Sequence, residues 1–452
     1  MTLGPPTVVG LDAGPYEAWL WRHLLRVVAL RTEPGVAVCW GAAAPPAGAR
    51  AVVRVPKDPN FLSHPEALRV QASDPIAADL ASWFGWLVSR AEEYEPFEAD
   101  ALGRFPRAAA LAQRLGLMEE PVADLLALRL RTAIEAAAGA AGLAVEPDLP
   151  WPDGKRFAVC LTHDVDHATR RSLWQGAQLA AGAAASALGG RWAQARRRLD
   201  AAAGLARGGR HSPDWLFEPM AELEAARGLR SAFYLLPYES DWAMEGGRRL
   251  HYYDVRRPEV LETFRRLAAE GWEIGLHTSY DAHDRPDGLG RDWRRLAEIL
   301  GPAVPMTGGR SHCLRFRTPE TWRQAEACGI GYDATLAWPE GSGFRCGTAW
   351  PHRPFDRQAG REVALWEFGT HLMDTYLPSL DALVAKAREV CDRVARTGGC
   401  ACLLAHPTTP RQAQATVRGF LRAYAAILDD LKSRPDVWVA TPREVIARLA
   451  TA

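Results

Sequence analysis

The sequence predicts an α/β protein whose larger part is a parallel sheet of seven or eight strands. Beyond residue 150, an amphipathic helix, a glycine and a short apolar strand recur as one unit along the chain. Polar side chains able to do chemistry follow several of these strands directly. Strands that alternate with helices run parallel, so the pattern indicates either a barrel or an open doubly wound sheet.

A proline-rich polar stretch over residues 146–154 predicts a domain boundary. We place a smaller N-terminal α/β domain at residues 1–148 and the parallel-sheet domain at residues 149–452. In the first domain, apolar runs near Val8 and at residues 36–39 and 51–55 predict short strands, and an apolar repeat from Val122 to Ile134 predicts a helix. Its residues form no pattern that indicates a reaction, so its role stays open.

The elements of the second domain follow in order from apolar runs and from the glycines that end the helices. Helices that end at Gly228, Gly271 and Gly329 each precede a strand, because glycine readily takes the left-handed conformation at a helix C-terminus. The predicted strands lie at residues 157–161, 231–236, 273–276, 313–316, from 330 onward, 364–368, 400–405 and 437–440.

Composition and charge exclude several classes of function. The 54 basic residues balance 54 acidic ones, which disfavours a general nucleic-acid binder. We expect no secretory signal, because prolines and acidic residues interrupt the first 25 residues. The longest weakly polar stretch, residues 176–190, is shorter than the roughly 20 residues of a membrane span. Eight cysteines without a C-x-x-C pair predict free thiols, so we expect a cytoplasmic protein.

Two carboxylates and two imidazoles crowd one strand end, within residues 162–167. Asp164 and Asp166 occupy alternate positions, so in an extended segment their side chains point to the same side. Two like charges held close repel each other unless a cation neutralises them. The segment therefore predicts a metal site with one carboxylate as ligand and the other as base; the alternative is an aspartate that caps the following helix.

Two histidines lie at other predicted strand ends. His277 follows the strand at 273–276, and His406 follows the strand at 400–405. The carboxyl ends of parallel strands share one face, which brings these distant residues into one cleft. Together with the paired aspartates they favour a metal-dependent hydrolase over the alternative, which is a set of ordinary hydrogen-bonded loop residues.

A set of short motifs carries a resemblance to a known family. They are residues 161–167 (LTHDVDH), 271–280 (GWEIGLHTSY), 310–316 (RSHCLRF) with 319–322 (PETW), 329–336 (GIGYDATL), 343–348 (GFRCGT), 373–374 (MD) and 403–407 (LLAHP). From Lys155 to about Ala440 the chain resembles the polysaccharide deacetylases of the NodB-homology fold, carbohydrate esterase family 4, and most closely a bacterial subgroup with an extra N-terminal domain. The resemblance implies a distorted, incomplete (β/α) barrel and a divalent metal, usually zinc. It also implies hydrolysis that removes an acyl group, expected to be acetyl, from an N-acylated sugar or glycan precursor.

The resemblance also implies roles for individual residues. Asp164 matches the general base, Asp166 and His277 match metal ligands, and His406 matches the general acid. The common pattern has a second histidine four positions after the first, where this chain has Asp281. His283 and His312 are therefore the candidates for the third ligand, and we favour His312 because it lies in the RSHCLRF motif.

Further side chains are candidates for substrate binding. Arg315, Arg345 and Asp374 fall within the matching motifs or next to them, although surface ion pairs or a helix cap are the alternatives. Two other functions stay open: a catalytically inactive, glycan-binding relative of the deacetylases, and a metal-dependent amidase or deformylase that acts on a non-sugar substrate.

An arginine-rich insertion over residues 168–212 interrupts the predicted barrel. It holds eight arginines and one acidic residue, Asp200, for a local net charge of +7. Such a segment could contact an anionic membrane surface or cover a phosphorylated sugar. The alternative is a solvated pair of helices packed against the rest of the protein.

Overall fold

The computed structural model describes residues 3–12, 14–69, 76–168, 173–212, 214–237, 244–245, 248–249, 253–408 and 416–451. The N-terminal part is a small α/β unit built around a three-stranded sheet. Its elements are β1 (Thr7–Val9), α1 (Pro15–Val28), β2 (Leu30–Thr32), β3 (Val36–Trp40), β4 (Ala51–Val55), α2 (Leu80–Val88), α3 (Leu111–Leu115), α4 (Val122–Ala140) and β5 (Val145–Pro147). Strands β1, β3 and β4 pair in parallel in that order, and the predicted strands and the helix are confirmed.

In the part of the chain that the structure describes, the larger part is built on nine parallel strands. They are β6 (Phe157–Val165), β7 (Ala232–Leu235), β10 (Glu273–His277), β11 (Gly308–Arg310), β12 (Tyr332–Asp333), β15 (Trp366–Glu367), β16 (Leu372–Met373), β17 (Cys400–Leu404) and β18 (Val437–Val439). Two short antiparallel ribbons, β8 (Met244–Glu245) with β9 (Arg248–Arg249) and β13 (Phe355–Asp356) with β14 (Arg361–Glu362), lie outside this sheet.

The nine strands curl into an incomplete barrel, which confirms the predicted fold class. Eight of them follow the order β15-β12-β11-β10-β7-β6-β17-β16, and β18 pairs with the first half of β6. Among the described residues, no pairing joins β15 to β16, so the sheet stays open. Its helices are α5 (Leu173–Leu188), α6 (Trp192–Arg207), α7 (Phe217–Ala225), α8 (Pro258–Ala269), α9 (Gly288–Leu300), α10 (Glu320–Ala327), α11 (Leu380–Thr397), α12 (Val417–Ser433) and α13 (Pro442–Thr451).

One predicted strand is wrong, and the real one lies just before it. Residues 313–316 do not form a strand, because Cys313 and Leu314 adopt left-handed φ angles of 56° and 55°. The strand is β11, a Gly-Gly-Arg segment without an apolar run. A Cβ on Gly309 would lie 2.0 Å from the Leu276 carbonyl oxygen, so glycine is required for β11 to approach β10.

The two parts of the chain are packed closely together. One apolar cluster contains Trp83 and Leu130 from the N-terminal part and Trp350 and Phe355 from the barrel. The division at residue 148 therefore stays a prediction, since the core is continuous across it.

A buried ion-pair network also joins the two parts. Glu93 receives hydrogen bonds from Arg90, at 2.7 Å, and from Arg345, at 3.0 Å. These guanidinium groups offset the effect of burial and lower the pKa of Glu93 to about 2. Each buried charge in this network is thus compensated by an opposite charge.

The arginine-rich insertion forms a pair of helices, α5 and α6. Arg198 joins them by donating hydrogen bonds to the Gly182 carbonyl oxygen and to Ser186 Oγ, at 2.6 and 2.9 Å. Arg170 and Arg171 lie outside the described residues. Near the turn between the helices, Leu188 and Trp192 are 91% and 71% exposed. None of the helices described is both long enough and apolar enough to cross a membrane.

Candidate metal centre

Five of the predicted site residues meet at the carboxyl edge of the barrel. Asp164 is the second-to-last residue of β6, and Asp166 lies directly beyond that strand. His277 ends β10, and His312 and His406 follow β11 and β17. All five border one cleft of about 300 Å³. Parallel pairing of these neighbouring strands brings together residues that are more than two hundred positions apart in sequence.

Three side chains point ligand atoms at one another. Asp166 Oδ1 lies 3.2 Å from His277 Nε2 and 3.4 Å from His312 Nδ1, and the two imidazole nitrogens are 2.9 Å apart. In a tetrahedral zinc site with bonds of about 2.0–2.1 Å, neighbouring ligand atoms are about 3.3 Å apart. The three atoms therefore have the spacing of metal ligands, and the group could hold a metal ion.

The surroundings of these atoms also fit a metal. His277 Nδ1 donates a hydrogen bond to the Arg310 carbonyl oxygen at 2.8 Å, which leaves the Nε2 lone pair directed at the site. Asp166 Oδ1 is buried and accepts no hydrogen bond from the described residues. Burial opposes ionisation of Asp166, but the nearby imidazoles hold the pKa of its carboxyl group well below the usual value. An ionised carboxylate is the form that binds metals.

Asp164 lies next to this group and is held by a buried arginine. Arg310 Nη1 donates to Asp164 Oδ1 at 2.7 Å, and its Nη2 donates to Thr162 and Thr370 hydroxyls. Burial on its own would raise the pKa of Asp164, but the Arg310 guanidinium lowers it. Asp164 Oδ2 lies 3.9 Å from His277 Nε2 and is the oxygen nearer the ligand group.

The role of Arg310 is not evident from the sequence. Its position at the end of a strand would be a signal, but β11 lacks the apolar run that predicts a strand. Arg310 is 1% exposed, and its guanidinium also donates a hydrogen bond to the Ala334 carbonyl oxygen at 2.8 Å, so it fixes Asp164 rather than contacting solvent.

His406 is paired with Asp374 behind the cleft. Asp374 Oδ1 accepts a hydrogen bond from His406 Nδ1 at 2.6 Å, and Oδ2 accepts one from the His406 backbone N–H at 3.0 Å. Although burial opposes the charge, Asp374 raises the pKa of His406 to about 9. Asp374, predicted as a substrate-binding residue, is thus placed where it orients His406 and stabilises its protonated form.

The remaining predicted residues lie away from the ligand atoms. His283 lines a neighbouring cavity of about 380 Å³, and burial lowers its pKa to about 4. Arg315 lines the same cavity and forms a paired contact with Asp284 at 2.8 and 2.9 Å. Arg345 is buried against Glu93. None of the three is among the described residues that border the 300 Å³ cleft.

The N-terminal part contributes to the cleft as well. Leu102 and Arg104 border it together with Cys313, Leu314 and Met373. The remaining border residues are Pro339, Glu340 and Thr375. Neither Leu102 nor Arg104 carried a signal in the sequence, because both lie far from every strand of the barrel.

Comparisons with known proteins give a family match and several similar structures. Residues 51–138 match a family of unknown function (DUF7033), and no curated protein matches the chain. A Mycobacterium smegmatis protein provisionally assigned as a polysaccharide deacetylase is 18% identical, with a TM-score of 0.43, over 67% of this chain and 92% of its own. The allantoinase PuuE is 15% identical, with a TM-score of 0.43, over 68% of this chain and 95% of its own. A Pseudomonas aeruginosa protein, also provisionally assigned as a polysaccharide deacetylase, is 14% identical, with a TM-score of 0.42, over 68% of this chain and 95% of its own. With TM-scores below 0.5, these likenesses do not by themselves assign a function.

Proposed function

We propose that the protein is a metal-dependent hydrolase that removes an acyl group, acetyl in the first instance, from an N-acylated sugar or glycan precursor. The observation that carries this proposal is the buried group of Asp166, His277 and His312, with Asp164 on one side and the His406–Asp374 pair on the other. The proposed metal ligands, general base and general acid all lie in one cleft. Metal-assisted hydrolysis of an amide uses these three kinds of group. The sugar part of the proposal rests on the sequence motifs.

Asp166, His277 and His312 would hold the metal, and we propose zinc because two imidazoles, one carboxylate and an open position make a common catalytic zinc site. The chemistry supplied by the ion when bound is polarisation of the amide carbonyl and acidification of water. Every proton transfer then falls to residues of the chain itself.

A different residue carries out each of the two proton transfers. Asp164, ionised and held by Arg310, accepts a proton from the attacking water as the new C–O bond forms at the amide carbon. His406, protonated and backed by Asp374, donates its Nε2 proton to the nitrogen as the C–N bond breaks. The products are a carboxylic acid and a free amine.

Activity on a matched substrate panel tests the proposed function. We expect the zinc-loaded protein to release acetate from N-acetylglucosamine oligomers, and treatment with a chelator should abolish this release until zinc is restored. N-formyl and N-acetyl amines without a sugar serve as the control substrates. Turnover of these amines alone would show a non-sugar amidase, and metal binding without any turnover would show a binding protein.

The two candidates for the third ligand differ in their expected effect on metal affinity. His312→Ala should weaken zinc binding by more than about 100-fold, because loss of a ligand exceeds the roughly 10–100-fold cost of losing an outer partner. His283→Ala should leave the affinity unchanged, since His283 lines a different cavity. Competition with a chromophoric chelator measures both variants. Equal affinities for the two would contradict the assignment of His312.

We also propose a cytoplasmic location. The eight cysteines are scattered without a C-x-x-C pair, a pattern that suits a reducing compartment.

For the helical pair α5–α6 we propose contact with an anionic membrane surface. Leu188 and Trp192 are exposed near its turn, and Arg191, Arg196 and Arg197, all within five positions of Trp192 in the sequence, are exposed as well. An apolar tip with neighbouring arginines can enter the interface of an anionic bilayer, each arginine contributing about 1 kcal/mol near the surface.

Vesicle binding tests the membrane proposal. The wild-type protein should sediment with phosphatidylglycerol vesicles, less so as salt increases, and not with neutral phosphatidylcholine vesicles. The double variant Leu188→Ser/Trp192→Ser should lose this binding. Leu62→Ser, which changes an exposed leucine of the N-terminal part, is the matched control. Absence of sedimentation in the wild type, or an equal loss in the control, would contradict the proposal.

A further inference from the structure

A tight turn in the N-terminal part, Asp100–Arg104, reaches the barrel at the metal centre. Asp100 Oδ1 accepts hydrogen bonds from the backbone N–H groups of Leu102 and Arg104, both at 2.9 Å. Asp100 Oδ2 accepts a hydrogen bond from Arg104 Nε at 2.7 Å. Gly103 has a φ of +76°, a conformation that favours glycine. The turn is thus held by its own hydrogen bonds and presents Arg104 in a fixed direction.

The segment of the barrel facing this turn is strained. Directly after the candidate ligand His312, Cys313 and Leu314 both have left-handed φ angles although neither is glycine. Such a conformation is unfavourable for residues that carry a Cβ, and it persists only where the surrounding structure holds it. Two successive residues of this kind beside a metal ligand therefore need external support.

The Asp100–Arg104 turn provides that support on both sides of the strained segment. Arg104 Nη1 donates a hydrogen bond to the Cys313 carbonyl oxygen at 2.8 Å. In return, Arg315 Nε donates one to the Leu102 carbonyl oxygen, also at 2.8 Å. The Arg104 side chain is only 11% exposed and is paired with Asp100, so its charge is compensated and its geometry defined.

We propose that the Asp100–Arg104 turn holds the metal centre in its binding geometry. It fixes the backbone of residues 312–314, and so Arg104 is a positioning residue that aims His312 Nδ1 at Asp166 and His277. This inference rests on the proposed function in one respect, that His312 binds the metal. It gives a role to the region that matches the family of unknown function, since the turn lies within residues 51–138.

Zinc affinity of full-length variants tests this proposal without any substrate. Arg104→Ala should weaken zinc binding by about 10–100-fold, the usual effect of losing a group that orients a ligand. Arg104→Lys should fall between the wild type and Arg104→Ala, because lysine can still donate to the Cys313 carbonyl but cannot also form the fork with Asp100. Arg114→Ala is the matched control: Arg114 is exposed and donates to the carbonyl oxygen of Ala109 within its own segment.

Two further readouts separate positioning from a general effect on folding. The cobalt-loaded Arg104→Ala protein should show an altered absorption spectrum, because the ligand geometry has changed, while the spectrum of Arg114→Ala stays that of the wild type. Hydrogen exchange of the Leu314 and Arg315 amides should accelerate in Arg104→Ala without a matching change in β6 or β17. If Arg104→Ala does not fold, Asp100→Asn replaces it in both measurements. This variant weakens the ion pair with Arg104, so we expect the same changes in spectrum and hydrogen exchange with a smaller magnitude.

The outcomes distinguish this inference from the function on which it rests. A wild-type protein that binds no zinc overturns both. A wild-type protein that binds zinc, with Arg104→Ala folded and of equal affinity and spectrum, overturns the positioning role and leaves the proposed function standing. Equal losses in Arg104→Ala and Arg114→Ala would likewise overturn it.

Discussion

Replacing Asp166 by alanine should remove the bound metal and, with it, the hydrolytic activity. Asp166 supplies the carboxylate oxygen of the ligand group, and its loss leaves two imidazoles that cannot compensate the charge of a divalent ion. Elemental analysis of the purified variant should show no stoichiometric metal, and acetate release should fall to the background level. The variant should still fold, because Asp166 lies beyond the end of β6 and accepts no strand hydrogen bond through its side chain.

Asp281→Ala is the matched control for that experiment. Asp281 occupies the position where the common deacetylase pattern has its second histidine, yet its carboxylate contacts Arg285, Arg291 and Ser279. The Asp281 variant should keep the metal content and activity of the wild type. Loss of metal in Asp281→Ala, or retention of metal in Asp166→Ala, would contradict the ligand assignment.

Replacing His406 by alanine should lower kcat by about 10²–10⁴-fold while the protein keeps its metal, because general acid catalysis contributes a factor of this size. Asp374→Asn should give a smaller loss in the same direction, since the amide can still contact His406 but no longer stabilises its positive charge. Single-turnover rates and metal content, measured on the same samples, give both quantities.

His64→Ala controls for the removal of an imidazole as such, because His64 is exposed in the N-terminal part. It should retain the rate and metal content of the wild type. If His406→Ala instead loses its metal, His406 is a ligand and the acid must be sought elsewhere in the cleft.

Much of the candidate site could be predicted because its residues lie at strand ends that the local sequence pattern identifies. Asp164, Asp166, His277 and His406 lie at the ends of strands that are apolar and bounded clearly, and parallel strands bring such ends together. The RSHCLRF motif favours His312, and in the structure its Nδ1 lies 2.9 Å from His277 Nε2. The parallel sheet followed in the same way from the glycines that end its helices.

The residues that could not be predicted act through contacts distant in sequence. Arg310 contacts Asp164, which lies 146 positions away, and Arg104 contacts Cys313, which lies 209 positions away. Arginine is abundant in this chain, so its presence alone carried no information about these partners. Similarly, the sequence pattern does not predict β11. Close packing against β10 and β12 requires glycines there, and glycines remove the apolar pattern by which strands are recognised.

Anomalous X-ray scattering from crystals of the zinc-loaded protein tests the ligand assignment most directly. We expect one zinc ion per chain within bonding distance of Asp166 Oδ1, His277 Nε2 and His312 Nδ1. Zinc bound elsewhere, or through His283 or Asp281 in place of His312, would contradict the ligand assignment. The same holds if crystals grown with excess zinc show no ion at these three atoms.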